Sequence, residues 1–307
     1  TNIAQLENDL VYIVAEIERH GIKVDMDYAN KLLRELEESL VEIRKKLPEG
    51  FNERSPIHMR KLCEEAGATN WPKTEKGNPS FTEGFLKTFE MGKLVVKMRQ
   101  TSNLVNSFVR PLIEEHVFKG RVHTNLMALK MDEYGTISGR FSSTLPNMQA
   151  VPKHNKETGP KFRKAFVADD GMLLWEADQS QAEPRLFAHY SKEPFLVDGY
   201  NMRPFRDMHS ATATLLNVDR GTTGKRMNMG LLTGMQVKTF SEHMDWPIDK
   251  AREMFNKWNG AYPGIHGFQQ DAKAVMLARG FVKTLYGRVC RMDNPQFAYK
   301  ATSRIIQ

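Results

Sequence analysis

An α+β fold is what this sequence predicts, on three observations. Apolar residues recur at helical spacing near the start, at Leu10, Ile13, Val14 and Ile17 and again at Leu32, Leu33, Leu36, Leu40 and Ile43. Short segments with alternating or continuous apolar character, Arg121 to Lys130, Phe162 to Ala168 and Met172 to Ala177, read as strands. The last of these runs into a helical pattern through Ser180 and Gln181, so that one carboxylate, Asp178, closes a buried strand just ahead of a helix.

Taken in order, the first helical pattern is broken by His20-Gly21-Ile22-Lys23-Val24-Asp25, which separates two helices. Asn70 to Phe81 is dense in Gly, Pro and Lys and predicts a loop, basic enough to meet phosphates or simply to be solvated. Leu94 to Leu112 is helical again, with Pro111 near its end, and Asp132 to Ser138 supplies a turn before Gly139 and Arg140. Trp246 to Arg279 is mostly helical around a Gly/Pro-marked corner at Lys257 to Phe268.

The chain has 307 residues, enough for one elaborate domain or two to three lobes. Its 44 Lys and Arg against 37 Asp and Glu leave a net charge of +7, which suits a polyanionic partner without proving one. The two cysteines, Cys63 and Cys290, lie far apart with no CxxC spacing, so neither a disulfide framework nor a zinc site is indicated. The expectation is a soluble protein of a reducing cytoplasm, bacterial or that of an infected cell, with no apolar run long enough to enter a membrane.

Four motifs narrow the function: SGRFSS (Ser138 to Ser143), PNMQ (Pro146 to Gln149), DQSQAEPR (Asp178 to Arg185) and K-x-x-N-x-G from Lys225. In this order they resemble the family A DNA polymerases, where the equivalents run TGRLSS, PNLQNIP, DYSQIELR and R-x-x-x-K-x-x-N-F-G-x-x-Y-G. The resemblance extends almost end to end. It implies a right-hand polymerase architecture of helical thumb, antiparallel-sheet palm and helical fingers, with the palm incomplete. Residues 1–117 correspond to the thumb, 118–200 to the N-terminal part of the palm, 201–290 to the fingers and 291–307 to the start of the return to the palm.

The same resemblance assigns roles. Asp178 and the backbone carbonyl of Gln179 would ligate Mg²⁺. Two such ions, about 3.5 to 4 Å apart, activate the primer 3′-hydroxyl and neutralise the phosphates during nucleotidyl transfer. Hard Mg²⁺ takes one or two carboxylates together with phosphates and water, which suits this donor set. Ser180, Gln181, Glu183, His209, Lys225, Met229 and Thr233 would contact the incoming dNTP. Among them Glu183 is the steric gate against a ribose 2′-hydroxyl, and Lys225 donates to, and can protonate, the leaving pyrophosphate. Arg140, Asn147 and Gln149 would read the minor groove at the primer terminus, Arg99 a primer phosphate, Arg288 the template strand, and Gln307 would complete the set of DNA contacts.

Several positions depart from the pattern. Gln179 stands where the family has Tyr, and Pro184 where it has an aliphatic residue. Gly221 replaces a phosphate-binding Arg, with Arg220 one position off and turned away on an ideal helix. Met229 replaces the Phe that covers the base, and Thr233 a Tyr. Met can still cover a base, whereas Thr cannot stack. Weaker nucleotide binding or altered fidelity is expected, and the departures point to a viral replication enzyme.

Residues 1–307 contain no His-Asp-Glu triad, the motif that brings the family's second metal-binding Asp, and no proofreading exonuclease. The expectation is therefore that this polypeptide does not extend primers alone, the missing palm strands coming from a second polypeptide or from sequence not included here. The competing reading is a non-catalytic subunit that grips primer–template DNA, or an inactive fragment of a polymerase. Asp178, Glu183 and Lys225 argue against a pure clamp, which needs none of them. A single-subunit RNA polymerase is disfavoured by the gate glutamate.

Overall fold

The computed structural model describes residues 3–74, 77–129, 135–152, 158–244, 246–292 and 294–307. They form two compact units, one of Ile13–Leu126 and Ser142–Trp175, the other of Thr1–Tyr12, Met127–Phe141 and Glu176–Gln307.

In the first unit helix α1 (Ile3–His20, its opening residues counted with the other unit) leads through Gly21 and β1 (Ile22–Lys23) into α2 (Met26–Lys45). The side chain of Asp25 caps α2 by accepting from the Tyr28 N–H, which explains why the helix starts where the period resumes. After α3 (Pro56–Glu65), capped by Ser55, come α4 (Glu83–Leu86) and α5 (Glu90–Leu104). The chain then continues as π-helical turns at Val105–Val109 and Leu112–His116. Pro111, which has no N–H to donate, sits between those two turns. Two apolar clusters hold these helices, one around Leu32, Leu36, Val109 and Phe162, the other around Ile43, Met59, Leu86 and Val95.

The predicted strand from Arg121 to Lys130 is broken into β3 (Arg121–Val122) and β4 (Asn125–Met127), and Lys130 lies outside the described residues. β2 (Val117–Phe118) and β1 flank β3 antiparallel, with Ile22 and Val117 both opposite Val122. β4 pairs with β5 (Ser142–Thr144).

Two other expected strands are corrected. Phe162 to Ala168 contains the end of helix α6 (Gly159–Arg163) and a single bridge from Phe166 to Val24. Pro160 at the first turn favours the helix, and one turn suffices to bury both Phe162 and Ala165. Met172 to Ala177 is not a buried strand: it runs without ladder partners among the described residues, with Leu173 93% and Trp175 88% exposed. Apolar character alone does not make a strand, because its N–H and C=O groups need a neighbouring strand to be satisfied away from water.

The second unit is mainly helical: α7 (Ala182–Ser191), α8 (Pro194–Asn201), α9 (Met208–Leu216), α10 (Lys225–Leu232), α11 (Val237–Met244), α12 (Ile248–Ala261) and α13 (Pro263–Arg279). A hairpin of β6 (Phe281–Lys283) and β7 (Val289–Arg291) and a final helix α14 (Ala301–Ile306) follow. Phe187, Met208, Leu231, Phe240 and Trp258 are fully or almost fully buried in one cluster that binds α7, α9, α10 and α12 together.

Candidate functional site

The helix that follows Asp178 starts as the sequence implies. Asp178, Gln179 and Ser180 are exposed outside any helix or strand, and the backbone turns into α7 at Gln181, whose φ of 55° lies in the left-handed region. A non-glycine residue held there costs about 1–3 kcal/mol and persists only where its surroundings over-determine it. Here they do: the Gln181 amide accepts from the Tyr200 hydroxyl at 2.8 Å and donates to Asp207 Oδ1 at 3.2 Å. Burial pushes the Tyr200 phenol up to about 12, against the lowering influence of Arg185, so it remains a donor at neutral pH. Arg185 itself lies over the Tyr200 ring, 4.6 Å from its centroid. Pro184 is buried in the first turn of α7 without breaking the helix, as its position there allows.

Glu183, one residue into α7, points to Arg140, and the two side chains form an ion pair. This contact joins the SGRFSS motif to the DQSQAEPR motif. The neighbouring Gly139 has a φ of +83°, and an added Cβ would come within 2.5 Å of the Arg288 guanidinium. Arg288 in turn pairs with Glu7. The glycine before Arg140 is thus required by its backbone conformation, whereas the Arg288 guanidinium, at the end of a flexible side chain, could move aside.

Asp207 is the hub of the cluster. It caps α9 by accepting from the His209 N–H at 3.1 Å and takes the Ser210 hydroxyl at 2.7 Å. Arg220 donates to it from Nε and Nη2, each at 2.6 Å. Burial works to raise the Asp207 carboxyl, but the hydrogen bonds from Ser210 and Arg220 outweigh it and hold the group below its ordinary value.

Arg220 reaches this place through a π-helical turn, Arg220–Gly224, in which the Gly224 N–H bonds to the Asp219 carbonyl at 2.7 Å. Ideal α geometry, on which Arg220 was expected to turn away, does not hold across this π turn, and the Arg220 guanidinium is bound by Asp207. Lys225 opens helix α10, which ends at Thr233. Lys225 is exposed, Met229 half-buried and Leu232 wholly buried. The Thr233 hydroxyl bonds back to the carbonyls of Met229 at 2.8 Å and Gly230 at 3.0 Å.

His209 is buried, and its imidazole is held below the ordinary value by burial and by the Arg220 and Lys225 charges, against Asp207. Its ring Nδ1 lies 3.2 Å from the Asn228 amide nitrogen.

The remaining DNA-contact candidates are distributed differently. Asn147 accepts from the Gln149 N–H at 3.0 Å and so caps a short 3₁₀ turn; both residues belong to the first unit, Arg140 to the second. Arg99 is half-buried, with Nη2 donating to the Glu53 carbonyl at 2.6 Å and Nη1 to the Phe81 carbonyl at 3.2 Å. Gln307 is exposed at the end of α14.

Asp178 and the Gln179 carbonyl are oxygen donors of the kind Mg²⁺ takes, but one carboxylate is a thin set without substrate phosphates and water. Among the described residues no group of three or more His, Cys, Asp or Glu could hold a metal ion. Nor is any described helix long and apolar enough to cross a membrane. Sequence reasoning gave no role to Tyr200 or Asp207, held Asn228 only as a motif residue and discounted Arg220. The N-cap position of Asp207 was available as a signal; the π turn that carries Arg220 was not.

The family profile of DNA polymerase family A matches residues 24–304, and the chain belongs to that family. It is 28% identical to the DNA polymerase DpoZ of Acinetobacter phage SH-Ab 15497 over 99% of this chain and 56% of the phage protein. It is 30% identical to DNA polymerase I of Pseudomonas aeruginosa over 93% of this chain and 32% of that protein. Among solved structures, the polymerase domain of Pol1 from M. smegmatis, in complex with DNA primer-template and dNTP, superposes with a TM-score of 0.75 at 22% identity, covering 95% of this chain and 54% of that one. The fold is therefore that of part of a right-hand polymerase domain. The chain spans about half the length of the phage relative and about a third of the cellular one.

Proposed function

We propose that this chain supplies the dNTP-binding and primer–template-binding part of a template-directed DNA polymerase, together with one of its two metal-binding carboxylates. The observation that carries the reading is the Asp207-centred cluster, which draws Gln181, Ser210, Arg220 and the backbone of His209 from three elements of one unit around a single carboxylate. Residues 1–117 act as thumb, 118–200 as the N-terminal part of the palm, 201–290 as fingers and 291–307 as the return to the palm.

Asp178 and the Gln179 carbonyl would hold Mg²⁺ jointly with a carboxylate from outside residues 1–307, on the same or a second polypeptide. When bound, the metal supplies activation of the 3′-hydroxyl and charge neutralisation at the phosphates. Lys225 and Arg220 give cationic donors to the triphosphate, and Lys225 can hand a proton to the departing pyrophosphate. His209 adds a further donor, Met229 covers the base, and Ser180 and Gln181 line the approach. Glu183 occupies the space that a 2′-hydroxyl would need. Arg140, Asn147, Gln149, Arg99, Arg288 and Gln307 are the proposed DNA contacts, and for Arg99 that role must coexist with its bonds to two carbonyls.

Thr233, turned back on its own helix, favours the second reading of a non-catalytic primer–template clamp, since it leaves nothing to stack at the template position. Equilibrium binding separates the two. With Mg²⁺ and a primer–template, the chain is expected to bind the templated dNTP, and Lys225→Ala to weaken that binding by about tenfold, the equivalent of one charge-assisted hydrogen bond. Binding of primer–template without any dNTP-dependent signal supports the clamp instead.

A further inference from the structure

Beneath the proposed triphosphate contact lies a fully enclosed polar network that no catalytic step uses. Asn228 and Thr212 are both completely buried. Asn228 Oδ1 accepts from Thr212 Oγ1 at 2.8 Å and from the Trp258 indole Nε1 at 3.0 Å. Its amide nitrogen faces the Met208 carbonyl and His209 Nδ1, each at 3.2 Å. The Tyr262 hydroxyl closes the set on Thr212 at 3.1 Å.

The roles in this network follow from partners that have only one. An indole N–H can only donate, so the atom it meets on Asn228 is the carbonyl oxygen. A backbone carbonyl can only accept, so the atom facing Met208 is the amide nitrogen. The amide is thereby fixed in one orientation, and the group it presents to His209 is a donor. Nδ1 must then be the bare, accepting nitrogen, and in the neutral ring the single proton resides on Nε2.

We propose that Asn228 is a positioning residue that locks His209 as the Nε2–H tautomer, so that the site offers a neutral hydrogen-bond donor at this point and leaves positive charge to Lys225 and Arg220. The proposal rests on the nucleotide-binding reading only for what that donor serves. The charged groups bearing on the ring are Asp207, Arg220 and Lys225; burial and the two cations favour the neutral form, and Asp207 opposes them. A donor that carries no charge can bond a phosphate without competing with Arg220 for Asp207.

Two-bond ¹H–¹⁵N correlation spectra of the labelled 307-residue chain, with His209 assigned against a His209→Gln variant, report both ring nitrogens directly. At pH 7 the expected pattern is a protonated Nε2 and an unprotonated Nδ1. A proton on Nδ1, or rapid exchange between both tautomers, overturns the proposal. Asn228→Asp keeps the acceptor for Thr212 and Trp258 but replaces the donor by a carboxylate oxygen. The His209 ring should then gain an Nδ1 proton and titrate about one to three pH units higher, the usual effect of an adjacent opposite charge. An unchanged titration in that variant also overturns the proposal. Adding dATP with Mg²⁺ and primer–template separates the two layers. The stated tautomer with no dATP response contradicts the nucleotide-binding reading while upholding Asn228, and a dATP response from the other tautomer does the reverse.

Discussion

Arg140 and Glu183, 43 positions apart, meet as an ion pair whose carboxylate partner is largely shielded while the guanidinium stays half in water. The pair ties the strand-flanking SGRFSS loop to the first turn of α7, and it decides where the proposed gate points.

If the gate reading is right, removing either partner relaxes sugar selection. Glu183→Ala should increase ribonucleotide incorporation relative to deoxyribonucleotide by about 10- to 200-fold, the range of steric discrimination in a pocket. Arg140→Ala should move the ratio the same way by less. Stability should hardly change, since partly exposed ion pairs contribute about 0–1 kcal/mol. The assay is single-nucleotide incorporation with matched dNTP and rNTP in the polymerase completed with its palm.

Arg99 is expected to act on folding more than on DNA. Arg99→Met would leave the carbonyls of Glu53 and Phe81 without this donor, at about 1–3 kcal/mol for each buried group left unpaired. Lys is a poor replacement because one ammonium cannot span two carbonyls as a guanidinium does. Urea unfolding of both variants checks this; a midpoint equal to wild type in Arg99→Met contradicts it.

Acid should weaken the protein in two stages. The His209 imidazole is depressed in the folded state, so below its unfolded value of about 6.5 the unfolded chain binds more protons, and stability falls as pH drops from there through the folded value. The depressed Asp207 carboxyl adds stability that is present above its unfolded value of about 3.9 and is lost as pH falls through the folded one. Urea midpoints from pH 8 to pH 5 should decline in wild type and flatten in His209→Gln. An equal slope in both would exclude His209 as its source.

Trp175 is 88% exposed whereas Trp258 is wholly buried. Acrylamide should therefore quench a large part of the tryptophan emission in wild type and much less of it in Trp175→Phe. If a palm polypeptide completes the extended segment at 172–177, adding it should protect Trp175 from quencher. Unaltered quenching alongside restored primer extension would place the contact elsewhere.

Legibility followed the range of the interactions involved. The paired helices at the start, the break that ends at Asp25 and the helix after Ser180 were readable because helical period is local. The family emerged from four ordered motifs, whose residue types are dictated by chemistry. Met172 to Ala177 misled because a strand is defined by its neighbours, and an apolar run reports only a preference for burial. Phe162 to Ala168 misled for the related reason that Phe162 and Ala165 can be buried by a single helical turn. The bonding of Arg220 to Asp207 was not readable because ideal α geometry does not hold across the π turn that Arg220 opens. The Asn228 network joins residues up to 50 positions apart through side chains and leaves no periodic trace.

The most direct test is dNMP incorporation into a primer–template by this chain completed with a polypeptide carrying the palm His-Asp-Glu hairpin, comparing wild type with Asp178→Asn. Incorporation by wild type and none by the variant, with both binding primer–template equally, is the predicted result. Equal incorporation by the two would remove Asp178 from the metal site and the catalytic reading with it.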